Sequence, residues 1–281
     1  MNAIAEKVME TLVTAGSTFS EEKKNVYREA IKRETNDRAR WVLESILENA
    51  IIAEKNRSPL CDDTGIPHLF LEVGKEKSIS GDMIDSIYEG VAQGLCKLPG
   101  RPMGITGSDI ERIDQSTGIS SDPAMVRPAP IQIKLVDEDI VRLHVLMFGG
   151  GPAIRGRSYR VYHKHDAAVV RDEIIKWAVE AVDLLGCTPC TLAVGIGRSH
   201  FEASSMMIEA QVYGRYGVQS DMESEITESV NKRGAGALGL GGNTSVLATF
   251  VKVGPQRASG VRIVCLRPCC CVEPRIASVL L

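Results

Sequence analysis

The chain has 281 residues, 44% of them hydrophobic and 25% charged, which is ordinary for a globular protein and enough for one large domain or two small ones. A net charge of -3 with no basic stripe excludes the electrostatic footprint of a nucleic-acid binder, and no apolar run approaches the ~20 residues that a membrane helix needs. Residues 1–10 mix Glu and Lys without a signal-peptide apolar core, so a cytoplasmic location is the default expectation.

Aromatic residues make up only 5%, so the core must be built from Val, Ile, Leu, Ala and Met. Residues 3–13 read as a short helix. Ser20-Glu21-Glu22 supplies an N-cap residue and an acidic first turn. From there Val26, Ala30, Ile31, Trp41, Val42, Ile46 and Ala50 recur at helical spacing, which predicts one or two amphipathic helices ending before Pro59. A further helix is expected over 82–95, with Met83, Ile84, Ile87, Val91 and Leu95 on one face. The stretch 101–130 is rich in Gly, Pro, Ser and Asp and is read as a functional loop region. Residues 131–136 and 140–148 alternate with period two around Asp137-Glu138-Asp139, which predicts a β-hairpin. Helices follow at 166–185, 202–212 and 221–232, and β-rich runs at 191–196, 244–253 and 260–266. The expected fold is α+β: mixed β-sheets flanked by helices, one domain over 1–281, and a helical N-terminal segment over 1–57 within it.

Eight cysteines stand at 61, 96, 187, 190, 265, 269, 270 and 271. A chain of this length in a reducing compartment needs no disulfide framework, and clustered thiols there are more often metal-binding or catalytic. Cys61 lies in Ser58-Pro59-Leu60-Cys61-Asp62-Asp63-Thr64-Gly65-Ile66-Pro67, where a thiol, two carboxylates and a hydroxyl stand on consecutive loop residues. That loop reads equally as a chemical site or as a buried thiol beside an Asx turn. Cys187-Thr188-Pro189-Cys190 is one CxxC without the second pair that structural zinc requires, and it follows a helix instead of opening one. Cysteines on three separate loops, at 61, 187 and 269, suit an iron–sulfur cluster better. Gly149-Gly150-Gly151 offers backbone N–H groups to an anion without matching a phosphate loop. Arg101, Arg155 and Arg157 could pair with carboxylates or be solvated surface residues.

These pieces, in this order, resemble a family. Cys61-Asp62-Asp63-Thr64-Gly65 is similar to the Cys-Gln-Asp-Thr-Gly loop of class I, iron–sulfur-dependent fumarases and L-tartrate dehydratases. Met147-Phe148-Gly149-Gly150-Gly151, Cys187-Thr188-Pro189 leading to Val194-Gly195-Ile196-Gly197, and Gly242-Asn243-Thr244-Ser245-Val246 resemble their other segments. The resemblance implies a [4Fe-4S] cluster held by three cysteines: Cys61, Cys187 and, by counting twelve residues on from Arg257, Cys269, with Cys270 the second choice. It implies Asp63 in proton handling and Arg257 in the place of the family histidine. It further implies Asp62, Arg101, the amides of Gly149, Gly150 and Gly151, and Arg157 around a small dicarboxylate substrate, with Arg275 a candidate for a family arginine. Arginine cannot shuttle a proton at neutral pH, so Arg257 departs from the pattern.

Single-chain relatives continue into a second domain, whereas this sequence ends at Leu281. The expectation is therefore the α subunit of a hydro-lyase, active with a β subunit as a dimer of αβ pairs and converting fumarate to L-malate. L-tartrate dehydration, a non-catalytic cluster-bearing subunit and a zinc module are the alternatives.

Overall fold

The structure, a computed structural model, describes residues 2–98 and 100–281. The N-terminal segment is helical, as expected: α1 (Ala3–Ser17), α2 (Glu21–Arg33) and α3 (Asp37–Asn56). Then come β1 (Ile66–Gly74), α4 (Gly81–Lys97), α5 (Asp109–Asp114), β2 (Gln132–Val136) and β3 (Val141–Phe148). The chain continues with α6 (Gly150–Arg155), β4 (Arg157–Tyr162), α7 (Ala167–Leu185), β5 (Cys190–Gly197), α8 (His200–Tyr213) and α9 (Asp221–Asn231). It closes with β6 (Val246–Val253), β7 (Val261–Cys269) and β8 (Ile276–Leu280). Among the described residues the strands form two four-stranded mixed sheets, ordered β2-β1-β3-β8 and β4-β7-β5-β6, which is the expected α+β architecture. No helix among the described residues is long and apolar enough to cross a membrane.

The chain divides into two compact units. One takes the chain up to Phe19, Asn49–Gly149 and Arg275–Leu281; the other takes Ser20–Glu48 and Gly150–Pro274. In the first, β1 is a central strand. It pairs in parallel with β2, Phe70 opposite Gln132, and antiparallel with β3, Phe70 opposite His144. This corrects the expected hairpin, because β2 and β3 do not pair with each other but flank β1. The acidic turn at 137–139 arches across the end of β1, where the Gly74 N–H donates to the Ile140 carbonyl at 2.8 Å. β8 closes the sheet along β3, with Ser278 opposite His144.

Alternation sends Leu69, Leu71 and Val73 of β1 and Leu143, Val145 and Met147 of β3 to one face, where they bury against Val8 and Leu12 of α1 and Ile87, Val91 and Leu95 of α4. α1 and α4 approach closely because α4 carries glycine at the crossing. A Cβ on Gly90 would lie 2.5 Å from the Ala5 carbonyl oxygen and 2.7 Å from the Val8 Cβ.

In the second unit β7 pairs antiparallel with β4 and β5, and β5 pairs in parallel with β6. Ile174, Trp177 and Ala178 of α7 and Ile226 and Val230 of α9 cover Leu192, Val194, Val264 and Leu266 of that sheet. β7 runs three residues further than the apolar pattern suggests and ends on Cys269, opposite Thr191.

Gly90→Ala tests the close helix crossing. In an open helix the change would gain about 1 kcal/mol. Here the collision with backbone is expected to lower the unfolding free energy by about 1–2 kcal/mol net, read from the urea midpoint.

Candidate active-site loops

In the first unit the predicted 61–65 loop is anchored at both ends. The Leu60 N–H donates to the Gly16 carbonyl at 2.9 Å, and Asn49 Nδ2 donates to the Leu60 carbonyl at 3.0 Å. Leu60 is buried, which leaves the next residue, Cys61, half-buried at the surface. The Cys61 thiol lies 3.5 Å from Asp62 Oδ1. Asp62 reaches Arg101: Nη1 is 3.2 Å from Asp62 Oδ2, the Arg101 N–H donates to the Asp62 carbonyl at 3.2 Å, and Thr64 Oγ1 donates to the Arg101 carbonyl at 2.7 Å. The Asp62–Arg101 ion pair is open to solvent, so it contributes at most about 1 kcal/mol and can open for a carboxylate ligand at little cost.

Asp63 Oδ1 accepts from the Gly65 N–H at 3.1 Å, the Asx turn expected from the sequence. Gly65 has φ +79°, where a side chain is strained. Arg275, buried, donates from Nη1 to the Asp63 carbonyl at 2.7 Å and from Nε to the Met147 carbonyl at 3.2 Å.

The second unit gathers the other thiols. Cys187 is exposed on the turn after α7, and its carbonyl accepts from the Cys271 N–H at 2.9 Å. Thr188 fixes that turn to the glycine-rich 236–242 stretch: its Oγ1 donates to the Gly236 carbonyl at 2.8 Å, and its carbonyl accepts from the Leu238 N–H at 3.1 Å. Cys271 and Cys270 are half-buried free thiols, and a hydrogen bond between them pushes the Cys271 thiol up, with burial second. Cys269 and Cys190 are wholly buried. Burial raises both thiols well above their usual range, and the Cys269 thiol lies 3.4 Å from Gln211 Oε1. Among the described residues no three His, Cys, Asp or Glu side chains converge closely enough to hold a metal ion.

The 269–273 segment is held by groups that sequence reasoning missed. Arg267 Nη2 lies 3.2 and 3.0 Å from the two Glu273 carboxylate oxygens, with both side chains buried. Lys23 Nζ donates to the Glu273 carbonyl at 2.7 Å, and the Tyr27 hydroxyl donates to the Cys271 carbonyl at 2.8 Å. The available signal was the i,i+4 spacing of Lys23 and Tyr27, which puts both on one side of α2. Burial lowers the Lys23 amine to about 8, opposed by the charges of Cys270, Cys271, Cys269 and Glu273.

The remaining predicted residues lie elsewhere. Gly149 ends the first unit, while Gly150 and Gly151 open α6 in the second. Arg157, on β4, pairs with Glu180 at 2.9 Å and sits 5.3 Å over the Trp177 ring. Arg257 is exposed before β7, whose nine residues separate it from Cys269 by roughly 25 Å of strand.

These features define an α+β protein that carries six of its eight thiols on loops and strand ends, a donor set of the kind that suits soft metal centres. A profile of the fumarate hydratase (Fumerase) family matches residues 5–279, and the chain belongs to that hydro-lyase family. It is similar to a Methanocaldococcus jannaschii protein provisionally named L(+)-tartrate dehydratase subunit alpha, at 28% identity over 89% of this chain and 88% of the relative. It is also similar to the L(+)-tartrate dehydratase subunit alpha of Escherichia coli K12 and that of Shigella sonnei, each at 23% identity over 82% of this chain and 75% of the relative.

Lys23 gives a pH signature. Its folded-state value of about 8 lies below the ordinary 10.5, so between these values the unfolded chain binds more protons than the folded one. The cost of keeping Lys23 charged is therefore present below pH 8 and is relieved as pH rises toward 10.5. Relative to Lys23→Met, wild-type stability is expected to rise by roughly 3 kcal/mol across that window in urea titrations. A pH-independent difference contradicts the buried amine.

Proposed function

We propose that the chain is the α subunit of an iron–sulfur hydro-lyase that, with a β subunit, interconverts fumarate and L-malate in the cytoplasm. In this reading Cys61, Cys187 and Cys271 hold a [4Fe-4S] cluster. The observation that carries it is the 2.9 Å bond from the Cys271 N–H to the Cys187 carbonyl, which brings two thiol-bearing turns together in one unit. The donor set fits the group, because thiolates are the usual ligands of such clusters. Cys269 suits the role less well than its neighbours, since its thiol is wholly buried beside Gln211. Cys270, hydrogen-bonded to Cys271, is the reserve ligand.

Bound by three thiolates, a cluster supplies an open iron that acts as a Lewis acid toward a substrate oxygen. The chain's own residues do the rest. Arg101 exchanges its solvent-exposed partner Asp62 for a substrate carboxylate, and the backbone amides of 149–151 take a second carboxylate. Asp63, oriented by the Gly65 N–H, handles the proton that is added to or removed from carbon as the hydroxyl is added or removed at the adjacent carbon. Arg157, whose solvent-exposed pair with Glu180 can open as the Asp62–Arg101 pair can, is a further candidate for a substrate carboxylate, and Arg257, always protonated, is assigned no proton transfer.

A second reading, L-tartrate dehydration by the same apparatus, is favoured by the names of the relatives. The α-subunit names of those relatives support the need for a β subunit, and an assembly of two αβ pairs follows from the same reading.

Anaerobic reconstitution is expected to load about four irons per chain with broad visible absorbance. Cys187→Ala and Cys271→Ala should each lose most of that iron, while Cys269→Ala keeps it. Uptake of zinc alone overturns the reading. With the β subunit present, steady-state rates on L-malate and L-tartrate decide the substrate, and the preferred one should exceed the other at least about tenfold in kcat/KM.

A further inference from the structure

We propose that Arg275 is a positioning residue for the reaction: its buried guanidinium clamps the 61–65 loop and sets the directions of the Cys61 thiol and the Asp63 carboxylate. The inference rests on the proposed hydro-lyase reading for its catalytic meaning, and on the first unit alone for its geometry.

Arg275 spreads its donors over two elements. Nε donates to the Met147 carbonyl at 3.2 Å, and the Arg275 carbonyl accepts from the Met147 N–H at 3.0 Å, so its backbone and the root of its fork are fixed to the end of β3. From that base Nη1 reaches the Asp63 carbonyl at 2.7 Å. The remaining arm, Nη2, occupies the place where a Cβ on residue 65 would stand. The loop residue facing the fork must therefore be glycine on two counts, its positive φ and this approach. A planar fork with fixed donor directions holds two carbonyls at once, which a lysine ammonium on a flexible stem does less well. The Asp63 carbonyl is one peptide away from both the Asp62 and Thr64 bonds to Arg101, so shifting it moves Cys61, Asp62 and Asp63 together.

The test uses the full-length chain carrying Arg275→Met, Arg275→Lys or Gly65→Ala. Iodoacetamide modification of Cys61 is followed by peptide mass spectrometry, with exposed Cys96 on α4 as the internal reference. Arg275→Met and Gly65→Ala are expected to change the Cys61 rate at least about fivefold while Cys96 stays constant, with Arg275→Lys intermediate. In the complex with its β subunit, Arg275→Lys should lower kcat about tenfold or more while KM moves less than about threefold. A folded Arg275→Met or Gly65→Ala chain with wild-type Cys61 reactivity overturns the proposal. If Arg275→Met does not fold, Gly65→Ala and Arg275→Lys decide by the same criterion. Wild-type protein that takes up no iron would sink the hydro-lyase reading and leave the alkylation result to stand by itself.

Discussion

The ion pair between Arg267 and Glu273 is the constraint on which the thiol-bearing end of the second unit depends. Both side chains are buried, and both carboxylate oxygens lie within 3.2 Å of one guanidinium nitrogen. Two charges taken out of water cost several kcal/mol each, and only close pairing offsets that. Arg267 lies on β7 and Glu273 lies six residues later, so the chain must fold back directly after the strand. Lys23 and Tyr27 then take the carbonyls of Glu273 and Cys271, and the Cys271 N–H goes to Cys187. The backbone groups of Cys271 and Glu273 thus all have fixed partners, and the thiols ride on a segment with little freedom.

That arrangement sorts the cysteines by environment. Cys190 and Cys269 sit in the sheet interior, where burial keeps the thiol neutral and makes it a small apolar side chain. Cys187 and Cys271 sit on turns, joined through backbone and open to varying degrees. The first unit shows the same logic at Cys61, where burying Leu60 presents the following residue at the surface. Position relative to the end of a strand, more than sequence adjacency, decides which thiols are available for chemistry.

Much of this was legible in the sequence. The helices announced themselves through apolar spacing and through the Ser20 cap, and the Asp63–Gly65 turn through its residue types. The β2–β3 hairpin was misread because the acidic turn is a sound local signal, whereas the strand that intervenes, β1, lies some sixty residues earlier and leaves no local trace. β4 was missed because Arg157, Ser158 and Arg160 interrupt its apolar content, and β8 because it is short and half-exposed. Counting along the chain pointed to Cys269 as the third thiol. Three more residues of strand, which the apolar pattern did not announce, place that thiol in the interior beside Gln211. Arg267 and Glu273 gave no signal at all, since a buried pair looks in sequence like two ordinary surface charges.

β8 has a consequence for how the chain is made. The first unit takes an edge strand from residues 276–280, although its other segments precede residue 150. During synthesis every residue of the second unit has left the ribosome before β8 does. Until then the first unit holds one edge of β3 unpaired, and the second waits almost as long for β7, the interior strand that leaves the ribosome only a few residues ahead of β8. Neither sheet is complete when the N-terminal helices are made, and each is closed by a strand drawn from residues 261–280.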